Sequence, residues 1–175
     1  MKRVLAAVAD TPYSEPVMSQ AMEFVQQLST DLFLLSVIDS DPMKTPSIVG
    51  ETVQLKALHH RLISKYMAED KLSKESENTT DANYKYQGPN GRVRIQSRIL
   101  QGNPLEKICE FAEETDANMI IVGSRGLGSI GKLSLESISE ELVRKCPRPV
   151  LVVKSPTGDS PDFETTRSQQ DISTR

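Results

Sequence analysis

The chain has 175 residues, a formal net charge of −3 and 5% aromatic residues with no tryptophan. That length predicts one domain with an ordinary core. The slightly acidic balance, without a run of Lys or Arg, argues against a nucleic-acid partner. No apolar run approaches the length of a membrane span, and MKRVLAAVADTPYSEP turns acidic and Pro-containing too early for a signal peptide. Cys109 and Cys146 lack metal-ligand spacing, so no metal site is expected. Reduced thiols in a cytoplasmic protein are the natural reading.

In chain order, Val4 to Val8 reads as a buried strand. Thr11 to Ser14 is a turn, with Ser14 as a helix cap. Val17, Ala21, Phe24, Val25 and Leu28 then recur at helical spacing. Leu32 to Ile38 (LFLLSVI) is a second buried strand, and Asp39 to Gly50, with two prolines, is a loop. Leu55, Leu58, Leu62, Tyr66 and Met67 mark one face of a long helix. On it, the adjacent His59 and His60 point different ways and are read as surface or interhelical residues. Glu75 to Gly91 is polar, with Asn, Gly and Pro, and predicts an exposed loop. Val93 to Leu100 alternates as a third strand.

Asn103-Pro104-Leu105-Glu106 is a helix start: Asn103 caps, Pro104 suits the first turn and Glu106 can reach back. Leu105, Ile108, Phe111 and Ala112 supply that helix's apolar face. Met119 to Val122 is a fourth strand. Leu135, Ile138, Leu142 and Val143 mark a last helix, ended by Pro147-Arg148-Pro149. Val150 to Val153 is a fifth strand. Residues 155–175 offer almost nothing apolar and are expected to be a disordered tail beyond a domain of residues 1–154. Alternating strands and helices predict a single α/β domain. Its five-stranded parallel sheet carries helices on both faces, in a doubly wound, Rossmann-like arrangement with ligands outside the carboxyl ends of the strands.

The segment MIIVGSRGLGSIGKLSLES, Met119 to Ser137, runs from strand through a Gly-rich turn to a helix start. Backbone amides and a helix N-terminus placed there suit a phosphate. Gly126-Leu127-Gly128-Ser129-Ile130-Gly131 is formally GxGxxG. A dinucleotide fold would place it after the first strand, however, and here three strands precede it. Gly126 to Lys132 nearly matches a P-loop, but the next residue is Leu133, which cannot ligand Mg²⁺. No nucleophile elbow is visible.

The whole run from Val4 to Val153 resembles the universal stress protein family. Gly123, Gly126 and Ser137 fall on the family's glycine–serine signature. The Gly-Asn-Pro of residues 102–104, IIVGSRGLG, SISEELVRKCP and PVLVV at 149–153 match in order. The resemblance implies the adenine-nucleotide alpha-hydrolase-like fold and ATP or AMP binding through Gly123, Gly126 and Ser137. Val37, Ser124 and Arg125 would contribute, no catalytic residue is implied, and dimerisation would run through Val150–Val153. It further implies a stress-response regulator, not an enzyme. A ligand-free dimerisation module and a weak ATPase are the rival readings.

Two positions depart from the pattern. Ala9 stands where nucleotide-binding members carry an Asp, with Asp10 one position later, and Glu136 replaces a glycine. A carboxylate about 5 Å from a phosphate, at intermediate dielectric, costs on the order of 3 kcal/mol per charge pair. Turned outward, Glu136 is instead a first-turn acid that stabilises its helix. Ser137 either meets phosphate or caps that helix in Ser137-Ile138-Ser139-Glu140. Arg125 is either a phosphate clamp or a solvated loop residue.

Overall fold

A computed structural model describes residues 3–40, 48–124 and 138–154. Its elements in order are β1 (Arg3–Ala7), α1 (Ser14–Leu28), β2 (Asp31–Asp39), α2 (Ile48–Tyr66), β3 (Leu72–Glu77), β4 (Asp81–Gly88), β5 (Gly91–Gly102), α3 (Pro104–Glu114), β6 (Met119–Gly123), α4 (Ile138–Lys145) and β7 (Val150–Val153). The strands form one sheet in the order β3-β4-β5-β2-β1-β6-β7. β5, β2, β1, β6 and β7 are parallel neighbours, the five-stranded core that the alternating pattern predicts.

β1, β2 and β6 are apolar on both sides because both of their faces are covered. Val4, Ala6 and Val8 of the first strand segment join the core under α1 and α2, with Val17, Met18, Leu58 and Leu62. Leu5 and Ala7 point the other way, into a core with Ile108, Phe111 and Leu142 of α3 and α4. There Phe33 and Phe111 meet edge to face, ring centroids 5.5 Å apart. Asn103 caps α3 as expected, its side chain accepting from the Glu106 amide at 3.2 Å. Gly102 precedes that cap at φ +143, and a Cβ there would sit 2.9 Å from Lys107 Cε, so glycine is needed for the turn.

Residues 75–91 are not a loop. They lie largely in a hairpin, β3 and β4, that extends the sheet antiparallel to β5 and makes it seven-stranded and mixed. The reason is a period-two pattern under the polar composition. Ala82, Tyr84 and Tyr86 are buried in the core under α2, while Asn83, Lys85 and Gln87 face outward. Ser14 is also not a cap: it is the first residue of α1, and its hydroxyl donates to the Thr11 carbonyl at 2.9 Å. α2 begins at Ile48, inside the segment read as loop. Leu28 and Val143, expected on buried faces, are 49% and 58% exposed. Met18 and Met22 fill the space under α1 instead.

Candidate functional site

In a doubly wound sheet, ligands sit where neighbouring connections diverge at the carboxyl edge. Here β1 is central, with Ala7 paired to Leu35 of β2 and to Val122 of β6. Two residues on, Ala9 lies past the end of β1, abreast of Val37, which is still paired with Leu100 of β5, and Ser124 follows the last residue of β6 on the other side. The register therefore brings three of the sequence-derived positions to one edge. Val37 is half-buried against the α3 core. Ala9 is half-buried and offers a ligand no side-chain hydrogen bond. Asp10 is exposed and lines an open cleft of about 500 Å³ with Thr11, Pro12, Ser14, Glu15 and Arg61. The side of that cleft is fixed by Lys65, which is ion-paired to Glu15, and by Tyr66, whose hydroxyl donates to the Glu15 carbonyl at 3.3 Å. The Glu15 hydrogen bond raises the Lys65 pKa above its ordinary value.

On the β6 side, Gly123 is buried and pairs with Val153. The Ser124 amide donates to the Val153 carbonyl at 2.9 Å, so that N–H belongs to the ladder and not to a ligand. The Ser124 carbonyl accepts from the hydroxyl of Ser139, a buried residue in the first turn of α4, at 3.4 Å. Ser139 thus ties the α4 N-terminus to the end of β6, a role the sequence did not suggest. Arg125, Gly126, Glu136 and Ser137 lie outside the described residues. Among the described residues, no group of three or more His, Cys, Asp or Glu side chains could hold a metal, and no helix is long and apolar enough to cross a membrane.

His59 corrects the sequence reading most sharply. It is 1% exposed, lying beneath α2 between β2 and β5. Its Nε2 is 2.8 Å from Ser36 Oγ and its Nδ1 is 2.7 Å from Ser97 Oγ. Ser36 Oγ also donates to the Val8 carbonyl at 2.7 Å. A carbonyl only accepts, and a hydroxyl has one proton. Ser36 must therefore accept from Nε2–H, and Nδ1 must accept from Ser97. The ring is neutral, and burial lowers its pKa to about 3. The chain Ser97–His59–Ser36 ends on the Val8 carbonyl, one residue before Ala9. Two clues were present in the sequence. His59 stands four residues after Leu55 and three before Leu62, on the apolar face, and Ser36 is a polar residue inside LFLLSVI.

A mixed sheet wound on both faces, with its candidate site at the carboxyl edge of the central strand, defines an α/β protein of the doubly wound class. The model of the universal stress protein family matches residues 1–154, and the chain belongs to that family. A universal stress protein of Methanocaldococcus jannaschii is 26% identical over 155 residues, covering 87% of this chain and 94% of that protein. Among solved structures, a universal stress protein in complex with cAMP superposes with a TM-score of 0.60 at 17% identity, covering 87% of this chain and 96% of the other. One from Archaeoglobus fulgidus in complex with dAMP superposes at 0.57 and 16%, covering 88% and 98%. At these identities the superpositions establish a shared fold.

Proposed function

We propose that this chain is a cytoplasmic stress-response regulator that binds adenine nucleotide, ATP or AMP, weakly at the carboxyl edge of β1 and β6, and that it acts as a binding module, not an enzyme. The observation that supports the site is the register bringing Ala9, Val37 and Ser124 to one edge, where Ser124 is followed in the sequence by the Gly-rich segment that carries Gly126, Glu136 and Ser137. Family relatives solved with cAMP and dAMP support the ligand class. Ala9 supports weakness at the adenosine end and Glu136 at the phosphate end. His59 itself supplies no base: both of its ring nitrogens are already engaged in a buried neutral network. The homodimer is proposed to form through β7.

Isothermal titration tests the pocket. Wild type should bind ATP weakly or not at all. Glu136→Gly should gain up to about 3 kcal/mol by removing a like charge. Adding Ala9→Asp should contribute roughly 1 kcal/mol more through one hydrogen bond, near-additively because the two positions act on opposite ends of the ligand. Tight binding by wild type with no gain in either variant would refute the altered pocket. If none of the three proteins binds, the ligand-free dimerisation module that Ala9 and Glu136 also favour takes its place.

A further inference from the structure

The turn that leads from β1 to α1 is tied to α2 at both of its ends. At the outer end Lys65 is ion-paired to Glu15, and the Tyr66 hydroxyl donates to the Glu15 carbonyl at 3.3 Å. Lys65 and Glu15 are exposed, and an ion pair in water holds little. At the inner end the tie is buried: His59 Nε2–H donates to Ser36 Oγ at 2.8 Å, and Ser36 donates to the Val8 carbonyl at 2.7 Å. Between these ends the turn holds itself. The Thr11 amide donates to the Ala9 carbonyl at 2.8 Å, and the Ser14 amide and hydroxyl both donate to the Thr11 carbonyl, at 3.1 and 2.9 Å. Asp10, Thr11 and Pro12 of this turn line the cleft, as does Arg61, two residues after His59 on α2.

The inner tie sets a direction. A trans peptide is planar, with its C=O and its N–H on opposite sides, and the Val8–Ala9 peptide is trans. Ser36 stands on β2, so the Val8 carbonyl is held toward β2, and the Val8 amide is fixed to the same strand by donating to the Leu35 carbonyl at 2.9 Å. The Ala9 N–H, across the plane from that carbonyl, therefore faces the β6 side of the carboxyl edge. Ala9 is half-buried, and among the described residues no acceptor meets its N–H.

We infer that Ser36 and His59 are positioning residues of the carboxyl-edge site: they orient the Val8–Ala9 peptide so that the Ala9 N–H is presented as a donor to an oxygen of the bound nucleotide. The inference rests on the reading of that edge as a nucleotide site. It gives Ala9 a contact that needs no side chain. The two residues divide the work. Ser36 makes the bond to Val8, and His59, by filling a lone pair of Oγ with Nε2–H, keeps the Ser36 proton directed at that carbonyl. Ser97 holds the other ring nitrogen at 2.7 Å and is also buried, but it stands on β5, away from the turn. Losing the Ser97 hydroxyl costs stability without releasing Ser36 from Val8, which makes it the matched control.

Amide exchange and AMP titration of the full chain, both followed by NMR, separate positioning from stability alone. Without ligand, Ser36→Ala should speed exchange at the Val8 and Thr11 amides by about ten-fold beyond any change at the buried Leu5 and Ile121 amides. His59→Leu should loosen the same two amides less, because Ser36 still reaches Val8. Ser97→Ala should shift both sets alike, and Ser36→Thr, which keeps the hydroxyl, should restore the wild-type difference. With millimolar AMP, the Ala9 amide proton of wild type should move downfield. Ser36→Ala should weaken AMP by about five-fold, the equilibrium equivalent of one lost hydrogen bond, and Ser97→Ala should bind as wild type does. The inference is overturned if Val8 and Thr11 follow the core in Ser36→Ala or stay at wild-type rates in His59→Leu. It is equally overturned if Ser97→Ala loosens them selectively, or if Ser36→Ala binds AMP as tightly as wild type. Failure of wild type itself to bind AMP would sink the nucleotide reading instead, and the exchange rates would then decide alone whether Ser36 and His59 position the turn.

Discussion

The sheet ends in two edges built from opposite materials. β3, LSKESE, is exposed along nearly its whole length and carries alternating charge. Lys74 and Glu77 pair within the strand, Lys85 of β4 pairs with Glu75, and Lys56 of α2 reaches Glu77 at 2.9 Å. The ladder to β4 is broken by a register shift between Lys74 and Ser76. β7, VLVV, has no charge, and each of its four residues is half-buried. Ion pairs as exposed as those on β3 contribute at most about 1 kcal/mol each, too little to explain a whole added hairpin. Charge and a bulge on an edge strand do prevent another strand from docking there. The hairpin edge is thus built against self-association, which accords with the proposal that a second copy pairs at β7.

The largest effect is expected at β7. The Pro149 and Val153 carbonyls accept from Ile120 of β6 and from Ser124 just after it, so Val150 and Val152, between them, turn their N–H and C=O groups outward. Val152→Pro removes an outward donor without touching the β6 ladder, and proline is tolerated on an edge strand. If β7 is the dimer edge, light scattering should show the variant monomeric at concentrations where wild type is dimeric, with Tm little changed at protein dilutions where both are monomers. Val152→Lys should do the same by adding charge. A dimer indifferent to both substitutions would move the interface elsewhere.

The next largest effect separates the two halves of the sheet by their cores. His59 supports the β3 side, where α2 covers β2, β5 and the hairpin, and touches nothing at β7. His59→Leu leaves the Ser97 hydroxyl buried without its partner, at a cost of about 1–3 kcal/mol, and should leave dimerisation unchanged. The pH dependence carries the signature of the ring. The unfolded chain takes up its histidine proton as pH falls through about 6.5, while the folded ring resists until about 3. The folded state thus binds fewer protons across that window. Stability contributed by the neutral ring is complete above the unfolded pKa and is lost on acidification, by about 2 kcal/mol between pH 7 and 5. Urea melts of wild type should show this extra loss relative to His59→Leu. Parallel pH profiles for the two proteins would mean that the ring protonates easily and is not held neutral.

These regions also show how much the sequence could reveal. β1, β2, β6 and β7 are legible because strands buried on both faces read as continuous apolar runs, and α3 because Asn103 and Pro104 announce it locally. β3 is not legible. Its residues carry no apolar alternation, and only pairing with β4 makes it a strand. β4 hid a usable signal, Ala82, Tyr84 and Tyr86, beneath Asn, Gly and Pro. His59 escaped because its partners Ser36 and Ser97 lie 23 and 38 residues away, joined to it only by the fold. Of the candidate site, Ala9, Val37, Gly123 and Ser124 stand at the edge the sequence indicated. That the Ser124 amide is committed to Val153 is a matter of strand register, which composition does not carry.

A smaller effect is expected from stripping the charge from β3. Lys74→Thr, Glu75→Val and Glu77→Val together turn its edge into β-favouring, uncharged chain while the bulge remains. Monomer stability should shift by less than about 1 kcal/mol, because only exposed ion pairs are lost. Sedimentation velocity should reveal species larger than those of wild type, growing with concentration, as the second edge becomes available. Unchanged sedimentation would assign the protection of that edge to the bulge and not to the charges.

The smallest effect tests whether β7 is open at all. The chain continues from Lys154 directly beyond this strand into residues 155–175, which raises the question of whether they cover it. Their composition argues against that role. Phe163 and Ile172 are their only large apolar residues, set among Ser, Thr, Asp and Gln. A segment so polar offers little apolar surface to set against the conformational entropy of docking, which runs at about 1–2 kcal/mol per ordered residue for the backbone alone. Truncation after Lys154 should therefore leave both Tm and the dimer dissociation constant as they are in the full chain. Tighter dimerisation on truncation would show that the tail competes with a second copy for β7. A fall in Tm of several degrees would show that the tail packs on the domain, and the domain boundary at residue 154 would then have to move.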